Sequence, residues 1–188
     1  MKLKHILFAI AGIAIIIVLG KLFGSKPTVE PLKNRLEKTE VNKELDEVKI
    51  NWRYRIQEDK MTSDTTYIAY VEANEKLNFD FPYNGGSTVT LTIRKKGNET
   101  DVILRVSKGQ FIPTVTGGLV RVRFGKDKAR KYPTSMSSDY SSDVIFINNE
   151  REFVNNLKSH ETVIIETEFY QEGLKQVEFD IDGMRWEH

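Results

Sequence analysis

The sequence predicts a mainly β protein: an antiparallel β-sandwich with one short helix, preceded by an N-terminal transmembrane helix and a charged stalk. Two observations predict the sandwich, because apolar and polar residues alternate over many short runs and glycine-containing turns separate those runs. A third, a long apolar run near the N terminus, predicts the transmembrane helix. The resulting segments are a membrane anchor or signal segment at 1–24, a charged stalk or linker at 25–48, and the β-sandwich domain at 49–188.

The N-terminal segment is apolar over residues 6–23, interrupted by a charge only at Lys21. About 20 apolar residues are enough to cross a bilayer, so this run predicts a membrane span. A cleavable signal peptide has a similar basic start and apolar core, but its cleavage site requires small side chains. Leu22 and Phe23 occupy those positions. We therefore expect an uncleaved single-pass anchor, with a cleaved signal peptide as the alternative.

The sequence does not decide directly on which side of the membrane the domain lies. Lysines flank the apolar run at both ends, so the positive-inside rule does not choose between the two orientations. By analogy with signal anchors, we expect the rest of the chain to be periplasmic or extracellular. The alternative orientation would make the chain an adaptor at the cytoplasmic face. Residues 25–188 contain 25 basic and 27 acidic residues, a balance that argues against a nucleic-acid-binding protein.

The stalk at 25–48 contains two prolines followed by a charged stretch with widely spaced apolar residues. Their irregular spacing falls short of the three or four heptads that a coiled coil requires. We therefore expect a solvated spacer rather than a dimerising helix. The chain contains no cysteine, which excludes disulfides, thiolate nucleophiles and cysteine-ligated zinc.

The domain is predicted from alternation and turn signals. Trp52, Tyr54 and Ile56 alternate with polar residues and predict a half-buried first strand over 50–56. A helix is predicted from Glu150 to near Ser159, capped by Asn148 or Asn149. Prolines 82, 113 and 133 are expected at strand margins. The other predicted strands cover 67–71, 77–81, 89–93, 102–106, 120–124, 161–170 and 174–181, the last two joined as a hairpin.

Catalytic and metal-binding patterns are weak, and we expect no catalytic residue, no metal and no cofactor. The Asp180-Ile-Asp182-Gly183 stretch fails as a calcium loop because its later ligands are missing. Glu166 and Glu168 lie on one strand face and are the carboxylate pair to check for a glycoside hydrolase. His160 suits a helix C terminus, although a hydrolase triad can be drafted from it together with Ser141 or Ser142 and Asp139 or Asp143.

Arginine is the polar residue type that stands out on the predicted strands. Arg94, Arg105, Arg121 and Arg123 occupy outward positions on three of them. If those strands are neighbours, the four side chains form one basic face. An arginine fork binds carboxylate or phosphate through two hydrogen bonds, so the expected partner is an acidic protein, a glycan or a lipid headgroup. The alternative is a solvated face that cross-strand acids neutralise.

The order of five short motifs resembles the VasI family of type VI secretion-associated proteins. The resemblance implies an exported β-rich accessory domain without known catalysis, in which Arg94 and Arg123 are the positions most like those of the family. Together these observations predict a non-catalytic binding or assembly module of the cell envelope. The alternatives are an envelope polymer hydrolase and a cytoplasmic-face adaptor. The motifs lie at 60–64, 91–94, 120–124, 153–157 and 177–186.

Overall fold

A computed structural model describes residues 51–112 and 118–188, which belong to one compact unit. The predicted transmembrane helix and stalk lie outside these residues. Within the described part of the chain, no helix has both the length and the apolar character needed to cross a membrane. The elements are β1 Arg53–Glu58, β2 Thr65–Glu72, β3 Val89–Lys96, β4 Glu99–Val106, β5 Gly118–Phe124, β6 Arg130–Met136, β7 Val144–Ile147, α1 Glu150–Ser159, β8 Thr162–Phe169 and β9 Gly173–Asp180.

All nine strands form one antiparallel sheet in the order β1-β2-β3-β4-β7-β6-β5-β8-β9. The prediction of a mainly antiparallel β domain with one short helix is confirmed, but the strands form one sheet where two stacked sheets were expected. The ladder is open, because β1 and β9 do not pair. Its two ends nevertheless meet: the Trp52 indole N–H donates to the Ile181 carbonyl at 2.9 Å, and the Asn74 N–H donates to the Glu178 carbonyl at 2.9 Å.

The hydrophobic core lies on the inner face of this curled sheet. Alternate residues of β3, β4, β5 and β8 point inward and are buried, as period-two strands require. Helix α1 adds Phe153, Val154 and Leu157 to the same core. Both tryptophans belong to it, with Trp52 only 4% and Trp186 only 5% exposed. The core therefore joins the beginning and the end of the described chain.

Two predicted strand faces are wrong. The run 77–81 forms a loop, in which Leu77 makes a single bridge to Ser87 while Phe81 is 88% exposed. The predicted half-buried face of β1 is exposed, with Tyr54 at 45% and Ile56 at 70%. The reason is position: β1 is the last strand at its end of the sheet, where the core no longer covers the inner face.

The predicted helix is confirmed in its bounds but not in its side-chain cap. Asn149 is the N-cap residue, with a left-handed φ of 66° and no side-chain capping hydrogen bond. The side chain of Asn148 instead accepts a hydrogen bond from the Ser135 hydroxyl at 3.2 Å. His160 is the C-cap residue, as its proposed place at a helix C terminus requires. The strands β6 and β7 were not predicted, and Pro133 lies inside β6 rather than at its margin.

Candidate anion-binding site

The four predicted arginines lie on the outer face in two groups. Arg94 and Arg105 are on the neighbouring strands β3 and β4. Arg121 and Arg123 are on β5, which β7 and β6 separate from β4. One continuous basic face would require all three strands to be neighbours. β3 and β4 are neighbours, but β5 is not next to either of them. Two strands that the sequence did not predict divide the arginines.

The Arg94 and Arg105 group is neutralised by acids. Arg94 donates from Nε at 2.9 Å to the carboxylate of Asp101, its cross-strand neighbour, and its Nη2 lies 2.8 Å from the same oxygen. The guanidinium of Arg105 is hydrogen-bonded to Asp143. These pairs match the alternative interpretation of a solvated, neutralised face. Their contribution to stability is small, because exposed ion pairs are worth at most about 1 kcal/mol.

The β5 group begins with Arg121, which is held by a carboxylate with little solvent exposure. Its Nη1 donates to Glu166 Oε1 at 2.8 Å, while Gln176 Nε2 donates to Glu166 Oε2 at 2.7 Å. The Glu166 side chain is only 10% exposed, but that of Arg121 is 57% exposed. Both oxygens of Glu166 are thus occupied, and Arg121 is oriented with part of its guanidinium still facing solvent.

Arg123 lies two residues further along β5, on the same outer face and opposite Ile164 of β8. Its side chain is exposed, and no carboxylate of the described residues lies within ion-pairing distance. It opens onto a concave surface of about 350 Å³. We call this surface the Arg123 groove; it is lined by Arg121, Arg123, Asp127, Ile164, Glu166 and Gln176.

A second depression of about 370 Å³ adjoins the Arg123 groove. Ile164 and Gln176 line both, and the second depression extends to Lys76. Arg123 lies in the first depression and Lys76 in the second, Ile164 supplies an apolar surface to both, and Glu75 and Glu178 supply hydrogen-bond acceptors in the second. Such a surface offers donors, acceptors and apolar contact to an extended ligand.

The potential around the groove is set by the β5–β6 hairpin. Residues 121–131 contain six basic residues and one acidic residue, Asp127. Asp127 faces His160, whose Nε2 lies 3.5 Å from the carboxylate. Arg130 is paired with Glu152 at 3.2 Å. The remaining cations of the hairpin leave a positive local potential, which attracts anionic ligands.

The drafted hydrolase triad is not assembled. His160 Nδ1 lies 2.8 Å from the Asn156 carbonyl oxygen, and among the hydrogen bonds of the described residues none joins His160 to a serine. The serines instead hydrogen-bond to acidic side chains of their own loop. Ser141 donates to Asp143, and Ser137 donates to Asp139, where this hydroxyl holds the pKa of the carboxyl below its usual value.

The two carboxylates of the predicted glycoside-hydrolase pair lie in different surroundings. Glu166 is held by Arg121 and Gln176, and Glu168 lies on the exposed outer face of β8. In residues 51–112 and 118–188, no group of three or more histidine and acidic side chains is placed to hold a metal ion.

Sequence reasoning identified Arg121 and Arg123 but missed Asp127, Ile164 and Gln176. The alternation in β8 and β9 places Ile164 and Gln176 on the outer face, yet only the strand register brings them beside β5. Comparisons with protein-family models, curated proteins and solved structures found no match to this chain. The site is interpreted from its own geometry and chemistry.

Proposed function

We propose that the chain is a non-catalytic binding or assembly module of the cell envelope, anchored in the membrane by residues 6–23 and carrying its β domain outside the cytoplasm. The observation that carries the binding role is Arg123, an exposed guanidinium without an ion-pair partner among the described residues, at the edge of a groove. The apolar N-terminal run supports the anchor. An association with a secretion system is supported by the resemblance to the VasI family alone.

The ligand that best fits the Arg123 groove is an acidic polysaccharide. A carboxylate on one sugar can accept two hydrogen bonds from the Arg123 fork. The sugar rings can rest on Ile164, and their hydroxyl groups can meet Gln176 and Glu178, which line the adjoining depression. Because Glu178 is acidic, the groove favours a polymer whose charges are spaced apart by neutral sugars over one charged at every unit.

The held Glu166 supports this proposal through pre-organisation. Its hydrogen bonds to Arg121 and Gln176 hold two groove side chains in place before a ligand arrives. Fixing a long side chain on binding costs about 0.5–1.5 kcal/mol, and a side chain that is already held avoids part of that cost. Arg121 therefore acts as a positioned wall of the groove, while Arg123 provides the free charge.

The test measures binding of an acidic oligosaccharide to the full-length chain in a mild detergent. The probe is a hexasaccharide in which uronic acid and neutral sugars alternate, and the readout is titration calorimetry. We expect Arg123→Gln to weaken binding about tenfold, because a charge-assisted hydrogen bond contributes about 1.5–3 kcal/mol and a tenfold change corresponds to about 1.4 kcal/mol. The matched control is Arg151→Gln, which removes an equally exposed positive charge from α1.

Each outcome bears on the proposal. Weaker binding in Arg123→Gln with wild-type binding in Arg151→Gln supports the groove. Equal losses in both variants contradict it, since they would reflect net charge alone. If the hexasaccharide does not bind but vesicles containing phosphatidylglycerol do, and only Arg123→Gln loses that binding, the ligand is a lipid headgroup and the glycan proposal is wrong.

The orientation is tested separately by protease treatment of spheroplasts. Digestion of residues 25–188 from outside, with the N-terminal segment retained in the membrane, supports an exported domain. Protection of the domain until the membrane is lysed contradicts export and supports the cytoplasmic-face adaptor. The mass of the membrane-bound form in the same samples distinguishes an uncleaved anchor from a removed signal peptide.

A further inference from the structure

Strand β1 is an edge strand, and on the side away from β2 no described residue hydrogen-bonds to its backbone, although its Tyr54 hydroxyl accepts from the Arg185 N–H at 2.7 Å. All six of its residues are exposed, and its ladder hydrogen bonds go to β2. The pairing with β2 runs from Arg53 to Glu58 without a bulge, and the strand contains no proline. Its most exposed apolar residue is Ile56, at 70%. Natural edge strands are usually protected by bulges, prolines, charged side chains or a covering segment, and of these β1 has only the charges of Arg53, Arg55 and Glu58.

The opposite edge of the sheet, β9, is occupied at its C-terminal end. Beside β9, the Asn74 N–H donates to the Glu178 carbonyl at 2.9 Å. The side chain of Asn74 accepts a hydrogen bond from the Asp180 N–H at 3.1 Å. One residue therefore occupies the β9 ladder at two points. No described residue makes such a contact with the backbone of β1, which is free for strand addition along its whole length.

We propose that β1 pairs antiparallel with β1 of a second copy of this chain, with Ile56 on the two-fold axis. In an antiparallel pair of strands, two facing residues either both point their N–H and C=O groups at each other or both point them away. Neighbouring residues of one strand differ in this respect. In a symmetric pair, the two-fold axis must therefore lie where a residue faces its own copy. Two registers pair five residues of each strand, one centred on Arg55 and the other on Ile56.

Charge and burial choose between these two registers. Centring on Arg55 places that arginine against its own copy, and like charges directly opposite destabilise a ladder. Centring on Ile56 places the two exposed isoleucines together and pairs Arg55 with Gln57. It also sets Arg53 of one copy opposite Asp59 of the other, beyond the ends of the strands. This register has no like-charge pair, and it removes the exposed Ile56 side chain from water.

The proposed interface uses none of the residues of the Arg123 groove, since no residue of β1 lines it. Pairing through a single strand buries little area, so affinity in solution would be modest. Anchors that confine both copies to one membrane raise their effective concentration and would strengthen a weak contact. The proposal therefore predicts dimers that depend on protein density, with both β domains joined in one continuous sheet.

The experiment uses the absence of native cysteine, which makes any introduced thiol the only one in the chain. Facing residues in an antiparallel pair have Cα atoms about 4.5–5.5 Å apart, within the range that a disulfide spans. We expect full-length Ile56→Cys, reconstituted in vesicles and mildly oxidised, to form a disulfide dimer at least tenfold faster than Leu174→Cys. Leu174 is the control, because it is similarly exposed, at 61%, but lies on β9, the other edge strand of the sheet.

A second pair of variants tests the register. Arg55→Cys mixed with Gln57→Cys should give mainly the mixed dimer, whereas a fast Arg55→Cys self-dimer would overturn the Ile56-centred register. Equal rates for Ile56→Cys and Leu174→Cys would overturn self-pairing altogether. So would an Ile56→Cys adduct with the mass of a different protein in native envelopes, which would show a heterologous strand at this edge. Unchanged tryptophan fluorescence in each variant checks that the domain remains folded.

Discussion

A single methyl group at Gly109 should destabilise the domain strongly. Gly109 has a φ of +104°, and a Cβ built on it would lie 2.4 Å from Cε2 and 2.8 Å from Cδ2 of Phe79. Phe79 is 5% exposed and packs against Phe169 with ring centroids 5.0 Å apart. Real contacts of this kind do not come below 3.0 Å. The Phe79 ring must therefore move, and its neighbours in a close-packed core must move with it.

The expected cost of Gly109→Ala has two parts. Overpacking a core with one extra carbon typically costs about 1–3 kcal/mol. Placing an alanine at a positive φ adds backbone strain of about 1–3 kcal/mol. The free energy of unfolding should therefore fall by about 2–6 kcal/mol, a large share of the roughly 5–15 kcal/mol that stabilises a typical domain.

The matched control is Gly97→Ala in the β3–β4 turn. Gly97 also has a positive φ, +56°, but a Cβ there meets no atom within 4 Å. This variant should show the strain alone, so its unfolding midpoint should lie between those of wild type and Gly109→Ala. The assay is urea unfolding of the full-length chain in detergent, followed by fluorescence of Trp52 and Trp186. If both alanine variants lose the same stability, the inferred clash with Phe79 is wrong.

Three further predictions concern buried side chains. Burial and the hydrogen bond to Glu152 raise the pKa of Tyr132 to about 12, so between pH 10 and 12 the folded chain keeps a proton that the unfolded chain loses. The free energy of unfolding, measured by urea titration, should thus fall as the pH rises from 10 to 12, and it should fall less in Tyr132→Phe. An equal fall in the two proteins would contradict this prediction. Trp52→Phe removes the hydrogen bond to Ile181 and should cost about 1 kcal/mol by the same titration, whereas no loss would show that this link between the chain ends is unimportant. Trp186→Ala should cost about 3–5 kcal/mol, and a loss below 1 kcal/mol would place this residue outside the core.

Sequence periodicity predicted most of the fold because the side-chain period of a strand is a local property. The runs that became β2 to β5, β8 and β9 were each recognised, as was α1. β6 was missed because Pro133 stands between its inward residues Tyr132 and Thr134 and resembles a turn signal. β7 was missed because it has only four residues. The false strand at 77–81 alternates for another reason: Phe79 anchors a loop to the core.

The candidate site shows a different limit. Arg121 and Arg123 could be selected from the sequence as outward arginines, but so could Arg94 and Arg105. What separates Arg123 from the other three is the lack of an acid within reach. Arg94, Arg105 and Arg121 are each paired with a carboxylate, whereas Arg123 faces Ile164. These neighbours are far apart in the chain or depend on register, and no local pattern encodes them.

In β2 to β5, β8 and α1, the sequence by itself therefore determined which side chains face the core and which face solvent, because alternation and helical period act over a few residues. It also supplied the apolar N-terminal run and the excess of basic residues at 121–131. The tertiary structure alone decided that β7 and β6 divide the arginines, that Arg123 is left without an acid among the described residues, and that β1 ends the sheet. The physical reason is that local periodicity sets the direction in which a side chain points. Which residues lie beside it depends on strand order and closure, and these are decided by the packing of the whole core.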